Sequence, residues 1–273
     1  MEKAKQIALV TGASSGIGMA TAQLFAANGF RVFGTSRTQH PDADGVEMLR
    51  LDVTSDGSAT QCIEDVLTRA GHIDVLVNNA GVWQVSLAEE TPLSIAHTIF
   101  ETNFFGVVRM TDAVLPGMRK RRAGRIINVG SLSAWVGEPG EAFYAASKKA
   151  LFGYTEALRH EVRPFGIEVS LVEPGPFRTD LAKTLLPTEN KISDYGEIRQ
   201  SIQKTLERAL DEGEDPERAA NLIVKVARSR VPRFRYGVGS GAAWLPYLRT
   251  LLPQQLFDYL VRRGFGLTNT ERK

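Results

Sequence analysis

The feature that most restricts the fold of this chain is a short apolar run that passes directly into a glycine-rich turn. Ile7-Ala8-Leu9-Val10 leads into Thr11-Gly12-Ala13-Ser14-Ser15-Gly16-Ile17-Gly18. Beyond the turn, Ile17, Ala20, Leu24 and Phe25 recur at helical spacing. Asn28-Gly29 marks a helix end, because Gly adopts the left-handed conformation at little cost. Arg31-Val32-Phe33-Gly34-Thr35 then reads as a second strand. Glycines in such a turn let main chain approach a pyrophosphate, and the helix N-terminus offers free N–H groups and partial positive charge. The spacing Gly-x-x-x-Gly-x-Gly differs from the Gly-x-Gly-x-x-Gly dinucleotide pattern, so an ordinary tight turn competes with a phosphate cradle.

The rest of the chain repeats the alternation. Further strand-like runs fall at Glu47 to Leu51, Val75 to Asn78, Arg125 to Val129, Ile167 to Glu173 and Arg235 to Val238, with segments of helical length between them. This pattern predicts an α/β fold: one doubly wound, Rossmann-like parallel sheet of about seven strands with helices on both faces. No Pro/Ser-rich linker divides the 273 residues, so a single domain over 1–273 is expected. A net charge of +2 gives no electrostatic case for nucleic acid. The lone Cys62 excludes an internal disulfide and suits a reducing, cytoplasmic setting as a small buried residue. No apolar run reaches transmembrane length, and the polar start lacks a signal-peptide core. His40, His72, His97 and His160 show no metal-ligand spacing.

Tyr144 and Lys148 stand four apart in a helix-like stretch, and so share a face, with Ser131 upstream. An ammonium beside a phenol favours the phenolate and should lower its pKa from ~10 toward neutrality. Such a phenol can exchange a proton near neutral pH while a serine hydroxyl holds the receiving oxygen. Carbonyl–alcohol interconversion needs those groups and a hydride carrier. At the end of the second strand, Thr35-Ser36-Arg37 places no acid where one would bind the ribose 2′-hydroxyl of NAD. Arg37, helped by Ser36, suits a 2′-phosphate, which favours NADP(H) over NAD; the competing reading is a solvated surface arginine.

Thr11-Gly12 through Gly16-Ile17-Gly18, Asn78-Asn79-Ala80-Gly81, Ser131, Tyr144-Ala145-Ala146-Ser147-Lys148 and Pro174-Gly175 fall in the order and spacing of one family. The chain resembles the compact short-chain dehydrogenases/reductases over roughly residues 5 to 240. The resemblance implies that Tyr144 is the acid/base, and that Lys148 lowers its pKa and binds the nicotinamide ribose. It implies that Ser131 polarises the substrate carbonyl and that Asn103 holds a water in a proton relay. By the same resemblance the cofactor lies along Gly12, Ser14, Ser15, Gly16, Ile17, Gly18, Ser36 and Arg37, with Asp52 and Val53 at the adenine. Asn79 would brace the central strands, with Ala80 and Gly81 along the cofactor. Pro174, Gly175, Phe177 and Thr179 would reach the carboxamide end, with Phe177 replacing a usual small aliphatic residue. Asp52 also reads as a strand-end cap, and Ser133 as a loop residue. A homodimer or homotetramer pairing through the helices of Asn103 and Tyr144 is a further implication of the family.

Substrate preference is expected in the least family-like parts: a lid over residues 181–215 and an apolar helical tail over 240–273. Leu181, Leu185, Leu186, Ile192, Tyr195 and Ile198 give the lid an apolar side. The tail reads as two amphipathic helices split by Pro253. It could wall a lipophilic pocket, form a subunit contact, or rest on a membrane through 244–263 with Arg249, Arg262 and Arg263. A weaker likeness to the hydroxysteroid and retinol dehydrogenase branch suggests a steroid- or retinoid-like alcohol or ketone. The alternative from another class is a catalytically silent NADP(H)-binding sensor on the same fold.

Overall fold

The computed structural model describes residues 5–179 and 191–268. The expected lid residues Leu181, Leu185 and Leu186 lie outside them. Seven strands form one sheet: β1 (Ile7–Val10), β2 (Arg31–Ser36), β3 (Val46–Arg50), β4 (Val75–Asn78), β5 (Gly124–Val129), β6 (Ile167–Pro174) and β7 (Arg235–Val238). Their order is β3-β2-β1-β4-β5-β6-β7, and every neighbouring pair is parallel. The seven runs read from the sequence are the seven strands, with ends shifted by no more than one residue. Nine α-helices accompany them among the described residues: α1 (Gly16–Ala27), α2 (Asp56–Ala70), α3 (Leu93–Phe100), α4 (Gly106–Arg121), α5 (Ala142–Val162), α6 (Gly196–Asp211), α7 (Pro216–Arg228), α8 (Leu245–Leu251) and α9 (Gln254–Gly264).

Side chains alternate across the sheet, so adjacent residues of one strand serve two cores. Leu9 of β1 packs with Phe33, Leu76 and Ile126 against Ile63, Met110 and Leu158 of α2, α4 and α5. Its neighbours Ala8 and Val10 pack on the other face with Phe25 of α1 and Ile223 and Val224 of α7. The strand order reverses direction between β1 and β4, which opens a crevice at their C-terminal ends. Between α3 and α4 the chain makes one π-helical turn, Glu101–Phe105, rather than a loop.

The second half of the expected lid is α6. It packs Ile202 and Leu206 onto Trp83 and Tyr144, joined by Phe265 and Leu267 from the tail. α6 is moored by Glu90, whose carboxylate accepts the Ile192 amide at 2.8 Å and pairs with Arg199. Tyr195 adds a bond from its hydroxyl to Glu89 at 2.7 Å. In the tail, Phe257 is buried, while Tyr247 and Leu251 are 65% and 77% exposed. No described helix is long and apolar enough to cross a membrane.

Two outcomes follow from these contacts. The hydrogen bond from Arg199 holds the Glu90 carboxyl below the ordinary range, against the opposing effect of burial. A depressed folded pKa contributes stability above the unfolded value of ~4.3, which is lost as pH falls through the folded value. Hydrogen exchange at the start of α6 is therefore expected to accelerate in acid before that of the strands. Glu90→Gln should show the fast exchange already at neutral pH. Cys62 is buried, and burial, with the Asp65 charge, pushes its thiol up to about 12. A thiol-reactive dye at pH 8 should leave Cys62 unlabelled until denaturant unfolds the chain.

Candidate active site

The glycine-rich turn is held by close main-chain approach. Gly12 and Gly16 have φ of +66° and +54°, where a side chain is strained. A Cβ on Gly18 would lie 2.1 Å from the Gly12 carbonyl oxygen and 2.3 Å from the Asn79 amide nitrogen. Asn79 Nδ2 donates to the carbonyls of Thr11 and Gly12, both at 3.0 Å. In return the Thr11 hydroxyl accepts the main-chain amides of Asn79 and Ala80 at 3.0 Å. α1 begins at Gly16 behind an extended Ser15 whose side chain makes no capping bond, and its first turn holds no acid. That end keeps its N–H groups and positive dipole available to an anion.

Most of the expected cofactor residues border one cavity of about 940 Å³ across the strand ends. Gly12, Ser14, Ser15, Gly16 and Ile17 line its floor, Asn79, Ala80 and Gly81 one side. Ser36, Arg37, Asp52 and Val53 line one end. Pro174, Gly175, Phe177 and Thr179 line the other. Gly18 sits beneath the turn and Asn103 behind the wall. Arg37 is exposed at the rim, near enough for its charge to act on Asp52. Asp52 is also the strand-end cap, since Oδ1 accepts the Thr54 amide and hydroxyl at 2.9 and 2.7 Å. Phe177 packs its ring under Gly239 and into the α7 core, so the bulk that replaces a small residue is absorbed below the cavity. The glycine cradle, the open end of α1 and the rim guanidinium together fit a dinucleotide.

At the other end, α5 carries Tyr144 and Lys148 one turn apart and both buried. Lys148 Nζ donates to the Val129 carbonyl at 3.0 Å and lies 5.7 Å from the centre of the Tyr144 ring. The tuning expected from the spacing is not what this pocket produces. Burial raises the Tyr144 phenol above its ordinary value, and the Glu141 charge acts in the same direction against a hydrogen bond from Ser131. Burial also lowers the Lys148 ammonium, to about 8. Asn103 lies in the π turn and is fully committed through its side chain. Oδ1 accepts the Val82 amide at 2.8 Å, while Nδ2 donates to the Val82 carbonyl at 2.9 Å and to Ser147 at 3.2 Å.

Ser131 Oγ accepts the Ser133 amide at 3.1 Å and lies 3.2 Å from Ser133 Oγ. Ser133 is more than a loop residue. It lines the cavity in a short 3₁₀ turn, and its hydroxyl donates to Glu141 at 3.0 Å. Glu141 also accepts the Trp83 indole N–H at 2.5 Å, and Glu138 stands near enough for the two carboxyls to act on one another. Burial first, then the charge of Glu141, push the Glu138 carboxyl up to about 8. Burial raises Glu141 as well. Sequence reasoning read Ser133 as a loop residue and passed over Glu138, Glu141 and Trp83. The only signal was two acids three apart just before the Tyr144 helix.

The family model for short chain dehydrogenases matches residues 6–190. A 3-ketodihydrosphingosine reductase of Bacteroides thetaiotaomicron is 40% identical over 268 residues, 96% of this chain and 98% of that protein. A 3-oxoacyl-[acyl-carrier-protein] reductase of Vibrio cholerae is 38% identical over 66% of this chain and 77% of its own length. The crystal structure of a short-chain dehydrogenase from Streptomyces avermitilis superposes with a TM-score of 0.83 at 34% identity, covering 99% of this chain and 100% of that one. The chain therefore belongs to the short-chain dehydrogenase/reductase family, and is an NAD(P)-dependent oxidoreductase acting on CH–OH and carbonyl groups.

Proposed function

We propose that the protein is an NADP(H)-dependent reductase of a long-chain ketone, with Ser131, Tyr144, Lys148 and Asn103 as its catalytic set. The observation that carries this reading is that Ser131, Tyr144 and Lys148 meet at one cavity wall, the tyrosine and lysine one helical turn apart and both buried. A bound nicotinamide dinucleotide supplies the hydride in reduction and takes it up in oxidation. The substrate carbonyl oxygen sits between the Ser131 hydroxyl and the Tyr144 phenol. Tyr144 delivers its proton to that oxygen as the carbonyl carbon is reduced. A phenol kept protonated by burial is the right starting form for this direction. Lys148, an ammonium below about 8, stabilises the phenolate left behind. Asn103 holds Val82 to Ser147 beside the lysine, and so keeps the path for proton resupply in place.

NADP(H) is preferred because Arg37 stands at the rim beyond Ser36, where a 2′-phosphate would lie. A lipophilic substrate is supported by the apolar wall at the reactive end, which includes Trp83, Leu132, Leu206, Leu210 and Leu245. The names of the two relatives favour an open-chain 3-keto lipid over the ring-bearing steroid or retinoid suggested by the sequence. Exposed Phe105 beside Arg109 and Asp112 on α4 supports pairing with a second copy through that helix. The lone, inert Cys62 suits a cytoplasmic setting.

Tyr144→Phe is expected to lower kcat for reduction of a long-chain ketone about 10²–10⁴-fold. NADPH should still bind, as read by nicotinamide fluorescence. Turnover at the wild-type rate would remove the proposed acid. Arg37→Ala should weaken NADPH over NADH by about 1.5–3 kcal/mol, the worth of a charge-assisted hydrogen bond. Equal loss for the two cofactors, measured by titration, would overturn the 2′-phosphate assignment.

A further inference from the structure

Three carboxylates are buried among the described residues: Glu90, Glu141 and Glu173. A buried charge is costly unless a partner offsets it. Glu90 has Arg199 and Glu173 has Arg235. Glu141 has no Arg or Lys among the described residues, and its ionisable partner is a second acid, Glu138. Both acids line the reaction cavity. They are fixed there by main chain as well as side chain. The Glu141 amide donates to the Glu138 carbonyl at 3.1 Å, and Trp83 and Ser133 orient the Glu141 carboxylate. Ser133 is itself hydrogen-bonded to Ser131. The acid pair is thus two hydrogen bonds from the hydroxyl assigned to the substrate oxygen.

We propose that Glu138 and Glu141 receive the ammonium group of the substrate, and that this substrate is a long-chain ketone with a primary amine on the carbon next to the carbonyl. The inference rests on the reading of the protein as a long-chain ketone reductase and narrows it. An amine on that carbon is held close to the carbonyl oxygen, three covalent bonds away. With the oxygen between Ser131 and Tyr144, an amine directed toward Ser133 meets the acid pair. The alkyl chain leaves along the apolar wall of Leu206 and Leu210, under α6. The ammonium supplies the cation that Glu90 and Glu173 find in arginine. Its arrival favours ionisation of both acids, so the proton that they share is released on binding. Tyr144 and the Glu138–Glu141 pair are the titratable groups at this corner, and Lys148 faces it from the next turn of α5.

The test compares two ketones of equal chain length with NADPH: a 2-amino-1-hydroxy-3-ketone and the same compound with hydrogen in place of the amine. Wild-type kcat/KM is expected to favour the amino ketone by about tenfold or more, the factor set by one charge-assisted hydrogen bond. In Glu138→Gln that ratio should fall to near one, chiefly through KM of the amino ketone. Glu141→Gln, which retains an acceptor for the Trp83 indole, should shrink the ratio in the same way, and serves if the first variant folds poorly. Reduction of both ketones equally by wild type would overturn the ammonium site and leave the ketone reductase standing. A ratio unchanged in both variants would also overturn it. Reduction of neither ketone would overturn the underlying reading itself.

Discussion

A methyl group at residue 18 would overlap the Gly12 carbonyl, and the Asn79 amide fills the remaining space. That close approach is the constraint on which the cavity depends. It ties the turn after β1 to the end of β4, the two strands between which the sheet reverses its order. The crevice therefore has a fixed floor, and the open end of α1 is aimed across it. The preceding residue, Asn78, carries the same strand end to the other side. Its amide donates to Asn128 at 2.9 Å and to Thr111 at 3.2 Å, and Asn128 donates onward to Thr155 at 3.0 Å. Thr111 is on α4 and Thr155 on α5. One strand end thus sets both the cradle and the helix that presents Tyr144 and Lys148.

Burial governs the electrostatics of this site more than pairing does. A tyrosine and a lysine at helical spacing suggest mutual tuning, because in water their attraction is the only large effect. Inside the protein each loses hydration, which favours the neutral form of both. The same penalty acts on Glu138 and Glu141, and at Glu138 the charge of Glu141 adds to it. The pocket therefore stores protons on its acids and its phenol. Charge entering the pocket shifts those groups further than it would shift exposed ones, since the interaction is weakly screened. Reactivity here depends on what the cavity holds.

The parts of this architecture that were legible in the sequence are those set by local pattern. The central strands β1 and β4 stood out because a strand buried on both faces of a parallel sheet reads as an apolar run. The glycine turn, Tyr144, Lys148 and Ser131 were legible because their spacing is itself the geometry. The π turn at Asn103 left no trace, since Glu101-Thr102-Asn103-Phe104-Phe105 carries ordinary helix formers and no breaker. The pairing of Glu141 with Trp83 was also hidden, because it joins residues 58 apart. Ser133 looked like a spare neighbour of Ser131, because an acid eight residues on in a loop has no spacing that marks it as a partner. Its significance comes from an acid that only the fold brings to it.

The tail meets the site on one side and solvent on the other. Leu245 lines the cavity, and Phe265 and Leu267 share a cluster with Tyr144, so the tail is a wall of the site. Two of its arginines are turned to its own use: Arg249 lies over the Phe257 ring at 4.9 Å, and Arg262 donates to the Leu267 carbonyl at 3.3 Å. Yet Trp244, Tyr247, Leu251, Leu256, Tyr259 and Leu260 remain exposed on the same two helices. The same two short helices thus supply part of the cavity surroundings and an exposed apolar outer face.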